Sequence, residues 1–368
     1  MSFDLRRCED GIITDELLFC VDCGTTLIKT LLLDKTGTVR NMYTYESFPY
    51  DKVTRMAEAN KCKIIVTGAK SDVLEMNKTS PDIEYYNYSE IESIAALPKC
   101  LGLERTVVAC VGTGTPFVAF DRDTSVHLGG TGVGGGTFIG LATRMIGVDD
   151  PRLIEEMAAG GILSNVNIMV GDIYKKDVIT GLRHDYTASN FAKPTATPVT
   201  MATQVTMAAQ VTMADAERTR QDNSLNDDAR AEPDSALNDD ARTEPDSALD
   251  CVARAEQGNA LNDVARTEPN NVLSDVSCTK QGAALNDVAM GIHSLVGEVV
   301  GSMAGQLAKY NGFDSVVFCG TVCENKIICD ILSGCLSIYG ITPVFIENPG
   351  FGTCFGAIMR YLNKNVEG

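Results

Sequence analysis

Four glycine turns, each set against a run rich in Val, Leu, Phe and Cys, limit what this chain can fold into. They are CGTT after LLFCVD, GTGT after TVVACV, the stretch HLGGTGVGGGTFIGL at 127–141, and GTV after VVFC at 316–319. Glycine costs backbone entropy, so a cluster marks a place where the backbone comes close to something or takes a positive φ. The 127–141 stretch holds seven glycines in fifteen residues and then turns apolar without a break, which predicts a glycine loop opening a helix. Such a loop suits an anion, because a helix N-terminus presents free N–H groups. One such turn is a weak signal. Four of them, two carrying threonine pairs, point to a nucleotide whose phosphates lie between two lobes that each supply a hairpin.

Around these turns the chain alternates strand-like and helix-like segments, an α/β pattern. LLFCVDCGTTLIKTLLLDKTGTVRNMYTY reads as a hairpin or meander, with Asp22 where the first strand ends. In its turn the backbone N–H groups and the Thr25 and Thr26 hydroxyls are placed to face a phosphate. Asp22 is placed to hold a hydrated Mg²⁺, and Lys29 to add positive charge.

Residues 194–284 are a different material. VTMA recurs at 199–202, 205–208 and 211–214, and leucines then recur every twelve residues at 225, 237, 249, 261, 273 and 285. The segment holds 16 acidic and 7 basic residues, nine of the chain's net charge of −18, and no aromatic residue. One leucine per twelve residues buries too little to offset the entropy of ordering the rest. The expectation is a disordered insert between an N-terminal lobe, 1–100, and a C-terminal lobe made of 101–193 and 285–368. Its last unit, ALNDVAM, runs into a strongly apolar helix, which suggests that the repeats arose by duplicating that helix's start.

The 368 residues suffice for two globular domains. Strong net acidity argues against a nucleic-acid or anionic-membrane partner. No apolar run reads as a membrane span, and the N-terminus lacks a signal-peptide core, so a cytoplasmic location is the expectation. Thirteen cysteines are scattered through apolar runs, where thiols behave as small hydrophobes. Cys20 and Cys23 form a CxxC, but no second CxxC or histidine pair completes a zinc site.

Taken together, these motifs resemble those of the type II (eukaryotic and staphylococcal) pantothenate kinases, within the superfamily of actin, sugar kinases and heat-shock ATPases. The family's opening motif, approximately DxGGTLxK, stands here as DCGTTLIK, Asp22 to Lys29. Its NxGxG turn is similar to CVGTG at 110–114, and its R-x-x-G-x-x-x-GGGT-F motif to HLGGTGVGGGTF. EMAAGG with VGDIYKKD (156–177), TASNF (187–191) and VFIENPGFGTCFGAIMRYL (344–362) resemble later family segments in the same order.

The resemblance implies a two-lobed, actin-like (ribonuclease H-like) α/β fold and transfer of the ATP γ-phosphoryl group to the primary hydroxyl of pantothenate. It implies a general base at Glu90, within SEIES. It places ATP and Mg²⁺ against Asp22, Gly24, Thr25, Thr26, Lys29, Thr113, Gly114, Gly134, Gly135, Gly136, Thr137, Gly320 and Thr321. Pantothenate falls to His127, Gly129 and Gly130. It also implies a homodimer and a CoA thioester as feedback inhibitor.

This chain departs from the pattern at four positions. Thr25 stands for a glycine, His127 for the arginine that positions pantothenate, Cys110 for asparagine and Thr353 for glycine. An arginine makes a permanent forked contact that histidine does not reproduce. These departures leave two alternatives: a catalytically silent, nucleotide-binding regulatory member, and a kinase for another small molecule. The second lacks the short acid and histidine cluster expected for sugar hydroxyls.

Overall fold

The computed structural model describes residues 17–34, 37–46, 53, 55, 57, 62–72, 83–174, 183–194 and 280–366. The expectation of disorder across the insert therefore falls on residues that, apart from 194 and 280–284, lie outside the described ones. The chain divides into one unit, Met1–Val199 with Gln281–Gly368, and a second, Thr200–Lys280. The first unit carries both large sheets.

Five strands build its first sheet: β1 (Leu18–Cys23), β2 (Ile28–Leu33), β3 (Val39–Tyr45), β4 (Lys63–Thr67) and β5 (Tyr85–Asn87). Their order is β3-β2-β1-β4-β5. The first three form an antiparallel meander, and β4 and β5 add in parallel beyond β1. Helix α1 (Glu90–Cys100) follows.

The second sheet repeats this plan. It holds β6 (Arg105–Cys110), β7 (Thr115–Asp121), β8 (Thr124–Thr131), β11 (Ser315–Cys319) and β12 (Thr342–Phe345), in the order β12-β11-β6-β7-β8. Again three strands form an antiparallel meander and two add in parallel. Between the meander and β11 come α2 (Gly135–Ile146), α3 (Pro151–Ala159), the short ribbon of β9 (Ile168–Met169) and β10 (Thr187–Ser189) with α4 (Val170–Ile173), and α5 (Lys280–Tyr310). Helix α6 (Lys326–Tyr339) joins β11 to β12, and α7 (Gly352–Val366) follows β12. Two copies of one strand plan, each closed by a helix after its fifth strand, make up the actin-like ATPase fold. The sequence expectation of two hairpin-bearing α/β units matches this arrangement.

The packing explains why the strands read as unbroken apolar runs. β1 is buried on both faces, as expected of a central strand. Leu18 and Cys20 join a core shared with α1, α7 and the second sheet, through Leu97, Val108, Val317 and Phe355. Phe19, Val21 and Cys23 face the opposite side, against Val53 and Ala57. Helix α1 packs on β6 and β7, while α7 packs on β1 and β4, so each closing helix lies against the sheet of the other repeat. The packing thus does not divide at residue 100.

Helix α5 is the strongly apolar helix expected after the last repeat unit, and it begins ahead of ALNDVAM, at Lys280. Gly297, Gly301 and Gly305, four residues apart, line one face, and a Cβ there would press on Ile331, Cys335 and Tyr339 of α6. Small residues at this spacing let two helices approach closely. Gly282–Tyr310 is long and apolar enough to cross a membrane by length and composition, a stretch not recognised as such in the sequence, and 67% of its most apolar window is buried inside the fold.

Candidate active site

The turns after β1 and β6 are topologically equivalent, and the fold brings them face to face. Thr26 in the first turn and Thr113 in the second have their hydroxyl oxygens 3.1 Å apart. Thr25 and Thr26 are exposed on one lip of the cleft and Thr113 on the other, with Gly24, Gly112 and Gly114 half-buried beside them.

Asp22 and Lys29 form the floor beside the first turn. They are cross-strand partners on β1 and β2, both largely buried, with Lys29 Nζ 3.5 Å from Asp22 Oδ2. Burial pushes the Asp22 carboxyl above its usual range, and the Lys29 ammonium opposes that rise. Burial works against the charge on Lys29, but its neighbours, Asp22 foremost, outweigh it and lift the ammonium above its usual value.

Glu90 reaches the same electrostatic neighbourhood from α1. It is the first residue of that helix, half-buried, and pushed above the usual carboxylate range by burial, with the charge of Asp22 adding and Lys29 opposing. Its neighbour Glu92 does a different job. Glu92 Oε2 accepts from the Ser89 N–H at 3.0 Å, while Ser89 Oγ accepts from the Glu92 N–H at 3.2 Å, a reciprocal capping box. Glu92 is thus committed to the helix start, whereas Glu90 shares its surroundings with Asp22 and Lys29.

The glycine stretch has an internal reason as well as an outward one. α2 begins at Gly135, as the sequence implied, with Gly134 as its N-cap. The Gly135 N–H donates to the Gly112 carbonyl at 2.7 Å and the Gly136 N–H to the Thr113 carbonyl at 3.0 Å. A Cβ on Gly134 would lie 2.8 Å from both carbonyl oxygens. These glycines therefore let the helix start dock on the second turn. Two of the N–H groups expected to face an anion hold that turn in shape instead. Thr137 hydroxyl donates to the Gly132 carbonyl at 3.0 Å. Gly129 and Gly130 lie in β8, where the pairing with β7 shifts register between Phe117 and Val118. His127 is exposed on the same edge strand, paired in register with Val118.

Gly320 ends β11 with φ 95, and its backbone lies so close to Val111 that any side chain would overlap it. Thr321 then begins a 3-10 turn, Thr321–Glu324. The first repeat has an equivalent that the sequence reading missed: Gly68, φ 96, ends β4 with its backbone against Asp22 and Cys23. The pattern VTG in KIIVTGAK is the same strand-end glycine as in VVFCGTV, so the signal was present. Glu324 was missed too. Burial pushes its carboxyl up, while Lys29 and Arg152 oppose the rise. No glycine or threonine pattern marks it.

The family model described as Fumble matches residues 76–360. That range spans α1, both glycine turns of the second repeat and most of α7. The chain belongs to the Fumble family. This Fumble protein is 22% identical over 356 residues to a type II pantothenate kinase of Bacillus thuringiensis, covering 94% of this chain and 97% of that protein. It is 29% identical over 175 residues to a type II pantothenate kinase of Staphylococcus aureus, covering 46% and 64% respectively. Among solved structures, component A of the (R)-2-hydroxyglutaryl-CoA dehydratase of Acidaminococcus fermentans aligns with TM-score 0.49 and 13% identity, over 96% of this chain and 100% of that one.

Proposed function

We propose that this chain is a pantothenate kinase that transfers the γ-phosphoryl group of ATP to the primary hydroxyl of pantothenate, forming 4′-phosphopantothenate. The observation that carries this reading is the meeting of Asp22, Lys29 and Glu90 beside the paired Thr26 and Thr113 turns. A phosphoryl-transfer site needs a phosphate cradle, a cation and a base at the attacking hydroxyl. These residues supply all three.

Glu90 accepts the proton of the pantothenate hydroxyl as that oxygen bonds to the γ-phosphorus and the bond to the β-phosphate oxygen breaks, leaving ADP. A carboxyl held above its usual range is a stronger base once ionised, which suits this task. The two turns, Gly24 to Thr26 and Thr113 to Gly114, offer backbone N–H and hydroxyl donors to the phosphates, while the Gly112 N–H is spent within its own turn on the Cys110 and Gly114 carbonyls. Gly134, Gly135, Gly136 and Thr137 support the second turn from behind, and Gly320 and Thr321 flank it.

Asp22 fits a hydrated Mg²⁺: it is a hard oxygen donor at the cleft floor, and its nearest cation stands off at 3.5 Å. Among the described residues no group of three or more His, Cys, Asp and Glu side chains could hold a metal, so such an ion would rest mainly on phosphate and water oxygens. When bound, Mg²⁺ neutralises charge on the phosphates. His127, Gly129 and Gly130 are assigned to pantothenate through the family resemblance, which also supports a homodimer and inhibition by a CoA thioester.

The test is ATP-dependent phosphorylation of labelled pantothenate by the full chain, beside Glu90→Gln. Turnover that collapses in the variant supports both the reaction and its base. ATP binding without turnover in the parent would instead favour the regulatory reading.

A further inference from the structure

Lys70 sits on the first phosphate turn from outside it. The chain leaves β4 through Gly68, and the Lys70 N–H donates to the Cys23 carbonyl at 2.9 Å. Its side chain then arches back, and Nζ donates to the Thr25 carbonyl at 2.9 Å. Lys70 is exposed.

The second repeat shows what the fold itself requires here. Val322, two residues beyond Gly320, is the equivalent of Lys70, and its N–H donates to the Val111 carbonyl at 3.3 Å as Lys70 does to Cys23. The backbone bond is common to both repeats, whereas the cation is present in only one. The architecture therefore needs the amide and not the ammonium. An ammonium carries three N–H donors, and a neutral carbonyl is a weaker partner than a phosphate oxygen.

Electrostatics gives the cation a reason. Lys29, the buried ammonium of the cleft, is paired with Asp22 and also interacts with Glu90 and Glu324. Arg152 also acts on Glu324, so three carboxylates face two cations, a balance that still repels a nucleotide polyanion in a chain whose net charge is already −18. Lys70 is exposed at the lip of this acidic cleft, anchored on the very turn that the phosphates would meet. We infer that Lys70 is a phosphate-contacting residue, whose ammonium leaves the Thr25 carbonyl to bind the phosphate chain of the nucleotide. This rests on the kinase reading of the site and adds a binding residue to it.

The experiment is calorimetric titration of the full-length parent, Lys70→Gln and Lys70→Arg with Mg²⁺ and a non-hydrolysable ATP analogue, ADP or adenosine. Losing one charge-assisted hydrogen bond corresponds to roughly a tenfold loss of affinity. Lys70→Gln should lose about that factor for the ATP analogue, with adenosine unchanged and Lys70→Arg close to the parent. Equal triphosphate binding by parent and Lys70→Gln would overturn the inference and leave the kinase reading standing. A parent that binds no nucleotide would overturn both. If both variants melt well below the parent, Lys70 is a structural clamp, and the inference fails on that count.

Discussion

Gly356 of α7 lies directly against the Ser93 carbonyl of α1, so close that a Cβ on Gly356 would overlap that oxygen. These helices are equivalents in the two repeats, and they cross at the centre of the shared core. Ser93 is fully buried, and its hydroxyl lies 2.8 Å from that of Thr67 at the end of β4. The crossing therefore fixes α1, and with it Glu90 at the start of α1, relative to the first sheet. Gly356→Ala should destabilise the protein by roughly 1–3 kcal/mol, the usual range for overpacking, at the upper end because the obstacle is backbone. A denaturant midpoint within error of the parent would contradict this.

The two acids of SEIES should separate cleanly. Glu90→Gln should abolish turnover while nucleotide affinity and melting temperature stay near parental values. Glu92→Gln should leave turnover largely intact, and Ser89→Ala should cost about 1 kcal/mol of stability, the typical worth of an N-cap. Equal losses of kcat for Glu90→Gln and Glu92→Gln would remove Glu90 from its role.

Acid should inhibit this enzyme earlier than an ordinary carboxylate base would predict. Burial and the Asp22 charge hold Glu90 above its usual range, and the proton must be off for it to act. The acid limb of kcat/KM should thus lie above about pH 4.3, the reference value for glutamate. Asp22→Asn removes a neighbouring negative charge, so the limb of its residual activity should move to lower pH. A limb that moves to higher pH, or not at all, would show that Asp22 does not act on Glu90.

Much of this was legible in the sequence because turns and strands write themselves locally. Gly24 to Thr26, Thr113 and Gly320 announced strand ends, and the glycines before TFIGL announced a helix. The reason for those glycines was not local. Gly135 and Gly136 are small because Gly112 and Thr113, more than twenty residues earlier, pass beneath them. The same holds for Lys70, whose meaning comes from its counterpart Val322 in the other repeat. Glu90 was reached by resemblance, while the S-x-x-E of its capping box stood in plain view and distinguishes it from Glu92.

A buried histidine should make stability, as distinct from activity, sensitive to mild acid. His293 on α5 is fully buried, with Nδ1 2.8 Å from the Ala289 carbonyl and Nε2 3.0 Å from Asn325 Nδ2. The carbonyl can only accept and the amide nitrogen can only donate, so the ring is neutral with its proton on Nδ1. Phe138 packs edge-on against it at 4.8 Å. Burial pushes its pKa down, opposed by the Ala289 carbonyl and the charge of Glu155. In the unfolded chain the imidazole takes its proton near pH ~6.5. Between that value and the lowered folded one, the unfolded state binds more protons, so this contribution to stability is full above the unfolded pKa and declines as pH falls. His293→Gln cannot titrate. Its denaturant midpoint should lie below the parent's at pH 7.5, and the gap should narrow at pH 5.5. A gap of constant size would mean that His293 charges in the folded state as easily as in the unfolded one.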